Sequence, residues 1–600
     1  MSYNQSSSYV YQSKGGYGLQ KAATAQPMIV QSYEHYAIGH PDLKNAAYKH
    51  IDLDQRDLRQ NARSQLCNMN FLIGHECIFG PYCLFAHSVA DVEEKIHDVS
   101  DQKKSAPHLS RRLFKDLGIW PSICILQFFS QEEIIETLRR VNRQSLALCK
   151  RAYAPKRVQL HRITLGTVKF FERTEEIRVT KDSLSFFTVY RENFFREILQ
   201  HYKNVRRLTI NLNFLFEEDK KDRFIEMICN IHQQQPPKQS IQIFAIEDAP
   251  LREKNLDQLF KSNILQNIQT LKLPRNNLMN KGIEILFKNS GDRLKHIKKL
   301  DISSNLISGD EGGAIIAQSK SFPNLYSLDL RLNKLGDEGF KILVKTTNYP
   351  MLTDLKIDKN KIQDTGAHQL VQICNLLKLQ VVKFRTNEIE SKGAQYIASS
   401  YAMRNITVLD LSANPILDEG FKFLANASYL SNLNKLYVND CGLTSASARY
   451  LKESKFIGRL RVLHVGKNQM KEDGCGYIST APNLDQLTEL VMNDNDIREE
   501  GIMAIQESHV LRNLSRLDLN HNEIREQGAQ MLALTQTLIQ LKYLNLSCNN
   551  IGEHGCKCIA ESDAFPLLQE LVIYIGNGIN AKAKAYLHRS PKLRSLNHIC

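Results

Sequence analysis

Through the second half of this 600-residue chain, apolar and polar positions recur with a period of 27 residues. Aligned on one asparagine, the unit reads L-x-L-x-x-N-x-I/L-x-x-x-G. The asparagine stands at Asn276, Asn305, Asn333, Asn360, Asn387 and Asn414, then at Asn468, Asn495, Asn522 and Asn549, with Cys441 filling the slot once. A glycine follows at Gly339, Gly366, Gly393, Gly420, Gly474, Gly501, Gly528 and Gly555. Alternation such as Leu328-Asp329-Leu330 predicts a short strand with its leucines in the core and the intervening residue outward. After the glycine, Phe340-Lys341-Ile342-Leu343 predicts a returning helix that closes the same core. Between strand and helix the chain turns inside the molecule, where unpaired backbone groups are costly. An asparagine amide offers both donors and an acceptor to satisfy them. One such unit cannot bury both of its faces, so stability has to come from stacked neighbours.

The pattern fades at both ends. Phe244 to Leu251 fits with Ala249 in the asparagine slot, Leu208-Thr209-Ile210 with Asn213 is a weaker match, and Leu571-Val572-Ile573 puts Gly576 in the slot. Roughly thirteen strands at about 4.8 Å spacing give an inner arc of order 60 Å. The period and the N-x-I/L-x-x-x-G turn resemble leucine-rich repeats of the ribonuclease-inhibitor-like subfamily. That resemblance implies an α/β solenoid over residues 205–600, with parallel strands inside and helices outside. It also implies recognition rather than catalysis, without naming the partner.

Composition narrows the setting. Hydrophobic residues make up 42% of the chain, and no apolar run approaches the length of a membrane span. The opening Met1-Ser2-Tyr3-Asn4-Gln5 lacks a basic and then apolar signal. Thirteen cysteines in such a chain point to reduced thiols or metal ligands, hence to cytoplasm or nucleus. Net charge is +14, and residues 101–210 carry 22 Lys/Arg against 11 Asp/Glu. A segment that basic suggests an anionic partner, nucleic acid first; solvated helix faces are the alternative.

Upstream lies CNMNFLIGHECIFGPYCLFAH, in which Cys67, Cys77, Cys83 and His87 form a complete tetrahedral ligand set for one structural Zn²⁺. So short a stretch has almost no core, and metal binding on the order of 10–16 kcal/mol would supply its folding energy. The spacing, with Phe79-Gly80 and Phe85-Ala86 at fixed offsets, resembles CCCH zinc fingers, the first gap being one residue longer than usual. The resemblance implies that Phe79 and Phe85 stack on bases of single-stranded RNA, with Arg63 in the basic lead-in. Against RNA, no Lys or Arg lies between Cys67 and His87, so phosphate contacts must come from flanking residues such as Arg56, Arg59, Lys103 and Lys104. A purely structural or protein-binding finger is the other reading.

Residues 123–150 read ICILQFFSQEEIIETLRRVNRQSLALCK. Leu126, Phe128 and Phe129, followed by Ile134, Ile135, Leu138 and Val141, resemble the latter part of an F-box, although the opening Leu-Pro is missing. That resemblance implies a substrate receptor of a cullin ubiquitin ligase. The plainer reading is an amphipathic helix buttressing the first repeat. The domain plan is then a Ser/Tyr/Gln/Gly-rich, disordered head over 1–55, a finger over 60–92, a basic and mainly helical segment over 105–204, and repeats over 205–600.

Outward strand and turn positions mark the inner face. Early repeats offer Lys272, Arg275, Arg331, Lys356, Lys359, Lys383 and Arg385 against Asp301, Asp329 and Asp358. Later repeats offer Asp410, Asp440, Asp494 and Asp518 against Lys467, with His464 and His521. A face running from basic to acidic favours a protein ligand of complementary polarity over a long nucleic acid. No phosphate loop, H-E-x-x-H pair or nucleophile elbow is present, so the expectation is a chain that is not an enzyme and takes no small-molecule substrate. Asp494-Asn495-Asp496 lacks the glycine of a calcium loop, and Cys556 and Cys558 fall within one predicted helix.

Overall fold

A computed structural model describes residues 157–159, 176–179, 206–211, 218–231, 241–289, 294–372 and 374–600. The chain divides into two compact units, Met1–Tyr153 and Ala154–Cys600, and every described residue belongs to the second. The expectations for the head, for the finger with Cys67, Cys77, Cys83 and His87, for Arg63, Phe79 and Phe85, and for the segment 123–150 lie outside the described residues.

Seventeen strands form one sheet. In chain order they are β1 (Arg157–Gln159), β2 (Glu176–Val179), β3 (Arg207–Asn211), β4 (Ile243–Glu247), β5 (Thr270–Lys272), β6 (Lys299–Asp301), β7 (Ser327–Asp329), β8 (Asp354–Lys356) and β9 (Val381–Lys383). They continue as β10 (Val408–Asp410), β11 (Lys435–Tyr437), β12 (Val462–His464), β13 (Glu489–Val491), β14 (Arg516–Asp518), β15 (Tyr543–Asn545), β16 (Glu570–Val572) and β17 (His598–Ile599). Each pairs in parallel with the next in sequence. The sheet therefore exceeds the thirteen strands expected and begins before residue 205. β1 and β2 fall in the stretch expected to be mainly helical, and neither is followed by an asparagine turn to reveal it.

The register places one apolar residue opposite the next: Leu271, Leu300, Leu328, Leu355, Val382, Leu409, Leu436, Leu463, Leu490, Leu517, Leu544 and Leu571. All of them are buried. Helices such as Gly309–Gln318, Gly336–Val344 and Asp364–Gln372 return the chain and press Ile316, Phe340, Leu343 and Leu370 onto the same core. Phe340 and Phe384 meet edge to face at 5.7 Å. Strands stack about 4.8 Å apart whereas helices are about 10 Å wide, so the sheet takes the inner side of the curve.

The asparagines build the expected ladder. Asn522 accepts the Asn495 N–H on Oδ1 at 2.9 Å and donates Nδ2 to the Met492 and Leu519 carbonyls at 2.9 Å. Asn360, Asn387, Asn414, Asn468, Asn495 and Asn549 donate in the same way to the preceding repeat and to their own turn. Ala249 occupies its slot through the main chain alone, its N–H donating to Asn276 Oδ1 at 2.8 Å. The last slot differs from the expectation. Asn577, not Gly576, accepts the Asn549 N–H at 2.8 Å, because the final turn holds one more residue. The residue before each ladder position adopts a left-handed backbone, with φ of 57° at Arg275, 54° at Lys359, 57° at Asp440 and 60° at Asp494. This throws its side chain out at the rim of the sheet.

Candidate protein-binding face

Side chains flanking the central leucine of each strand point away from the core and line the concave face. Lys272, Arg275, Arg331, Lys359, Arg385, Asp440 and Asp494 are exposed there, and Lys356 and Asp518 are half-buried. Asp410 departs from this pattern. It is only 8% exposed and its carboxylate accepts the Ser412 N–H at 3.0 Å, so it braces its own turn.

Several cations are already engaged. Arg275 grips Asp248 with two hydrogen bonds and holds that carboxyl below its ordinary range. Arg331 forms a fork onto Asp329 at 2.8 and 2.7 Å, and Lys356 lies 3.4 Å from Asp354. Such pairs fix side-chain geometry more than they stabilise the fold, because exposed ion pairs contribute about 0–1 kcal/mol. Among the described residues, no ion pair within 4.0 Å takes Lys272, Lys359, Lys383 or Arg385 on the early strands, nor Asp440, Asp494 or Asp518 on the late ones. The expected polarity is therefore carried by groups outside ion pairs, of which Asp518 already accepts the Asn520 N–H and the Asn545 amide at 3.1 Å.

Asp358 sits among the cations of the early half, just after β8. Burial pushes its carboxyl up to about 6, the nearby Asp410 adds to the effect, and the Arg385 N–H, 2.8 Å away, together with Arg331 and Lys383 opposes it.

The strand position before the central leucine, overlooked in the charge pattern above, supplies Lys299, Asp354, Lys435, Glu489, Arg516 and Tyr543. Alternation alone places these on the same face. Three of them, Glu489, Arg516 and Tyr543, join Tyr437 and His464 from the other flank in a relay across five strands. The Tyr437 and His464 rings meet edge to face at 4.6 Å. His464 Nε2 lies 2.9 Å from Glu489 Oε1, and the Arg516 Nε lies 3.4 Å from that same oxygen. The Arg516 guanidinium stacks on the Tyr543 ring at 3.6 Å. Partial burial raises the Tyr437 and Tyr543 hydroxyls above the usual phenol value. Tyr and Arg held by neighbours in this way are the residue types that dominate binding energy at interfaces.

Among the described residues, no group of three or more His, Cys, Asp or Glu side chains is placed to hold a metal ion. Cys556 is fully buried with its thiol pushed up to about 12, and Cys558 lies on another side of the same helix, Gly552–Glu561. No helix among these residues is long and apolar enough to cross a membrane.

The family model described as Leucine Rich repeat matches residues 323–341, 402–425, 487–505, 510–533 and 540–560. With the parallel sheet, these matches give the described residues the fold of a leucine-rich-repeat solenoid. No curated protein sequence matches the chain. Among solved structures, the chain is similar to one titled as a TLR13–ssRNA13 complex, at 16% identity and a TM-score of 0.39, over 75% of this chain and 67% of that one. An internalin (inlF) from Listeria monocytogenes is similar at 18% identity and a TM-score of 0.31, over 58% and 82%. A yeast Rad7–Elc1 complex is similar at 14% identity and a TM-score of 0.39, over 84% and 96%.

Proposed function

We propose that this chain is a non-catalytic adaptor whose concave sheet face holds a partner protein. Its N-terminal finger, with Zn²⁺ on Cys67, Cys77, Cys83 and His87, contacts single-stranded RNA through Phe79 and Phe85, assisted by Arg63 and the basic segment behind it. The observation that carries the protein-binding half is the row of seventeen parallel strands, which presents charged and aromatic side chains at fixed spacing on a rigid surface.

Affinity capture from lysate tests the first half. The intact chain is compared with Lys359→Glu/Lys383→Glu/Asp494→Lys on the sheet face and with Lys341→Glu/Lys452→Glu/Glu561→Lys on the helix face. Loss of captured protein with the first triple variant alone supports the reading; equal loss or equal retention removes it. For the finger, crosslinking of the full chain to RNA should yield crosslinked peptides within residues 55–210. Their absence ends the RNA part and leaves the protein-binding part standing.

A further inference from the structure

The polarity of the sheet face and its aromatic relay together describe one kind of occupant. On β5 to β9 the outward side chains outside any ion pair are mostly cations, Lys272, Lys299, Lys359, Lys383 and Arg385, against Asp301. On β11 to β14 they are Asp440, Asp494 and Asp518, with Lys435 and Lys467 as a minority. The relay runs across the acidic strands to β15 and is internally neutralised, since Glu489 takes both Arg516 and His464. It therefore offers ring faces and hydroxyls rather than net charge, and the surrounding aspartates set the field above it. Five strands at about 4.8 Å span about 19 Å, the length of about six residues of extended chain.

We propose that the face binds one extended segment of a partner protein, acidic where it crosses β5 to β9 and cationic where it crosses β11 to β14, anchored on Tyr437 and Tyr543. This rests on the concave face being the protein-binding surface. Complementary potentials at both ends fix the direction of the segment, because a reversed one meets like charge at each end. A uniformly acidic or uniformly basic polymer satisfies only half of the surface, which separates this occupant from nucleic acid.

The test uses the full chain and three fluorescent peptides of equal length: a Glu-Gly repeat joined to an Arg-Gly repeat, an all Glu-Gly repeat and an all Arg-Gly repeat. Each carries a photo-crosslinker at a defined end. The bipolar peptide should bind at least about tenfold more tightly than either uniform one. Its acidic end should crosslink within residues 270–386 and its cationic end within 435–545. Lys359→Glu/Lys383→Glu and Asp440→Lys/Asp494→Lys should each abolish that preference. Tyr437→Ala/Tyr543→Ala should weaken binding about tenfold, with Tyr→Phe at both positions largely restoring it. Equal binding of all three peptides, or crosslinks indifferent to the labelled end, overturns the proposal. If that happens while the sheet-face variants still lose their captured protein, the binding surface stands and only the assigned partner chemistry falls.

Discussion

Cys441 donates its main-chain N–H to the side-chain oxygen of Asn468 at 3.0 Å, and its own thiol points at the Leu411 carbonyl 3.3 Å away. The ladder thus runs through a slot that holds no asparagine, with one arm weakened: a thiol S–H is a weaker donor than the carboxamide N–H it replaces.

Two substitutions should move stability in opposite directions. Asn522→Ala strands the Asn495 N–H and two buried carbonyls, and should cost about 3 kcal/mol. Cys441→Asn restores the missing carboxamide and should gain about 1 kcal/mol. Urea unfolding of the full chain, followed by far-UV circular dichroism, reads both.

Asp358 should make stability depend on pH. Its folded value lies above the unfolded one, so the folded state binds the proton more readily. The contribution is fully present below the ordinary carboxylate value of 3.8 and is lost as pH rises through about 6. Asp358→Asn mimics the protonated form and keeps an acceptor for the Arg385 N–H. It should raise stability at neutral pH by about 1–3 kcal/mol and change little near pH 4. Melting curves of both proteins across that range check the sign.

The helices Gly309–Gln318 and Gly336–Val344 approach through glycine. A methyl group on Gly313 would run into the main chain of Gly339, which no side-chain rotation relieves. Gly313→Ala should therefore destabilise by about 1–3 kcal/mol. Hydrogen exchange should accelerate first in these two helices. Unchanged exchange there would mean that the helices separate at little cost.

Metal analysis bears on the proposed finger. One zinc per chain is expected, reduced in Cys83→Ser. Chelation should raise hydrogen exchange over residues 60–92 while leaving exchange over 270–600 and its melting unchanged. A zinc-free chain with the same exchange over 60–92 counts against the finger.

The repeats were legible because each position in the unit has a single role and the roles recur. Reading failed where that regularity lapsed. One inserted residue moved the last slot from Gly576 to Asn577, and β1 and β2 carry no asparagine turn. The charge gradient was legible for a related reason: outward strand positions follow from alternation. Its energetics were not. Arg275 meets Asp248 from the neighbouring repeat, and Asp410, outward by pattern, folds back onto Ser412. The relay was hidden because it crosses repeats diagonally, through Tyr437, His464, Glu489, Arg516 and Tyr543, and no linear motif records that path.

Strand joins strand strictly in order, so the cationic and anionic ends of the face are tied together only by the repeats between them. The molecule is in effect a ruler. Removing one whole 27-residue unit between β9 and β11 would bring its two charged ends closer by a strand width, about 4.8 Å, and leave each end intact. The length of partner segment it accepts is graduated in whole repeats.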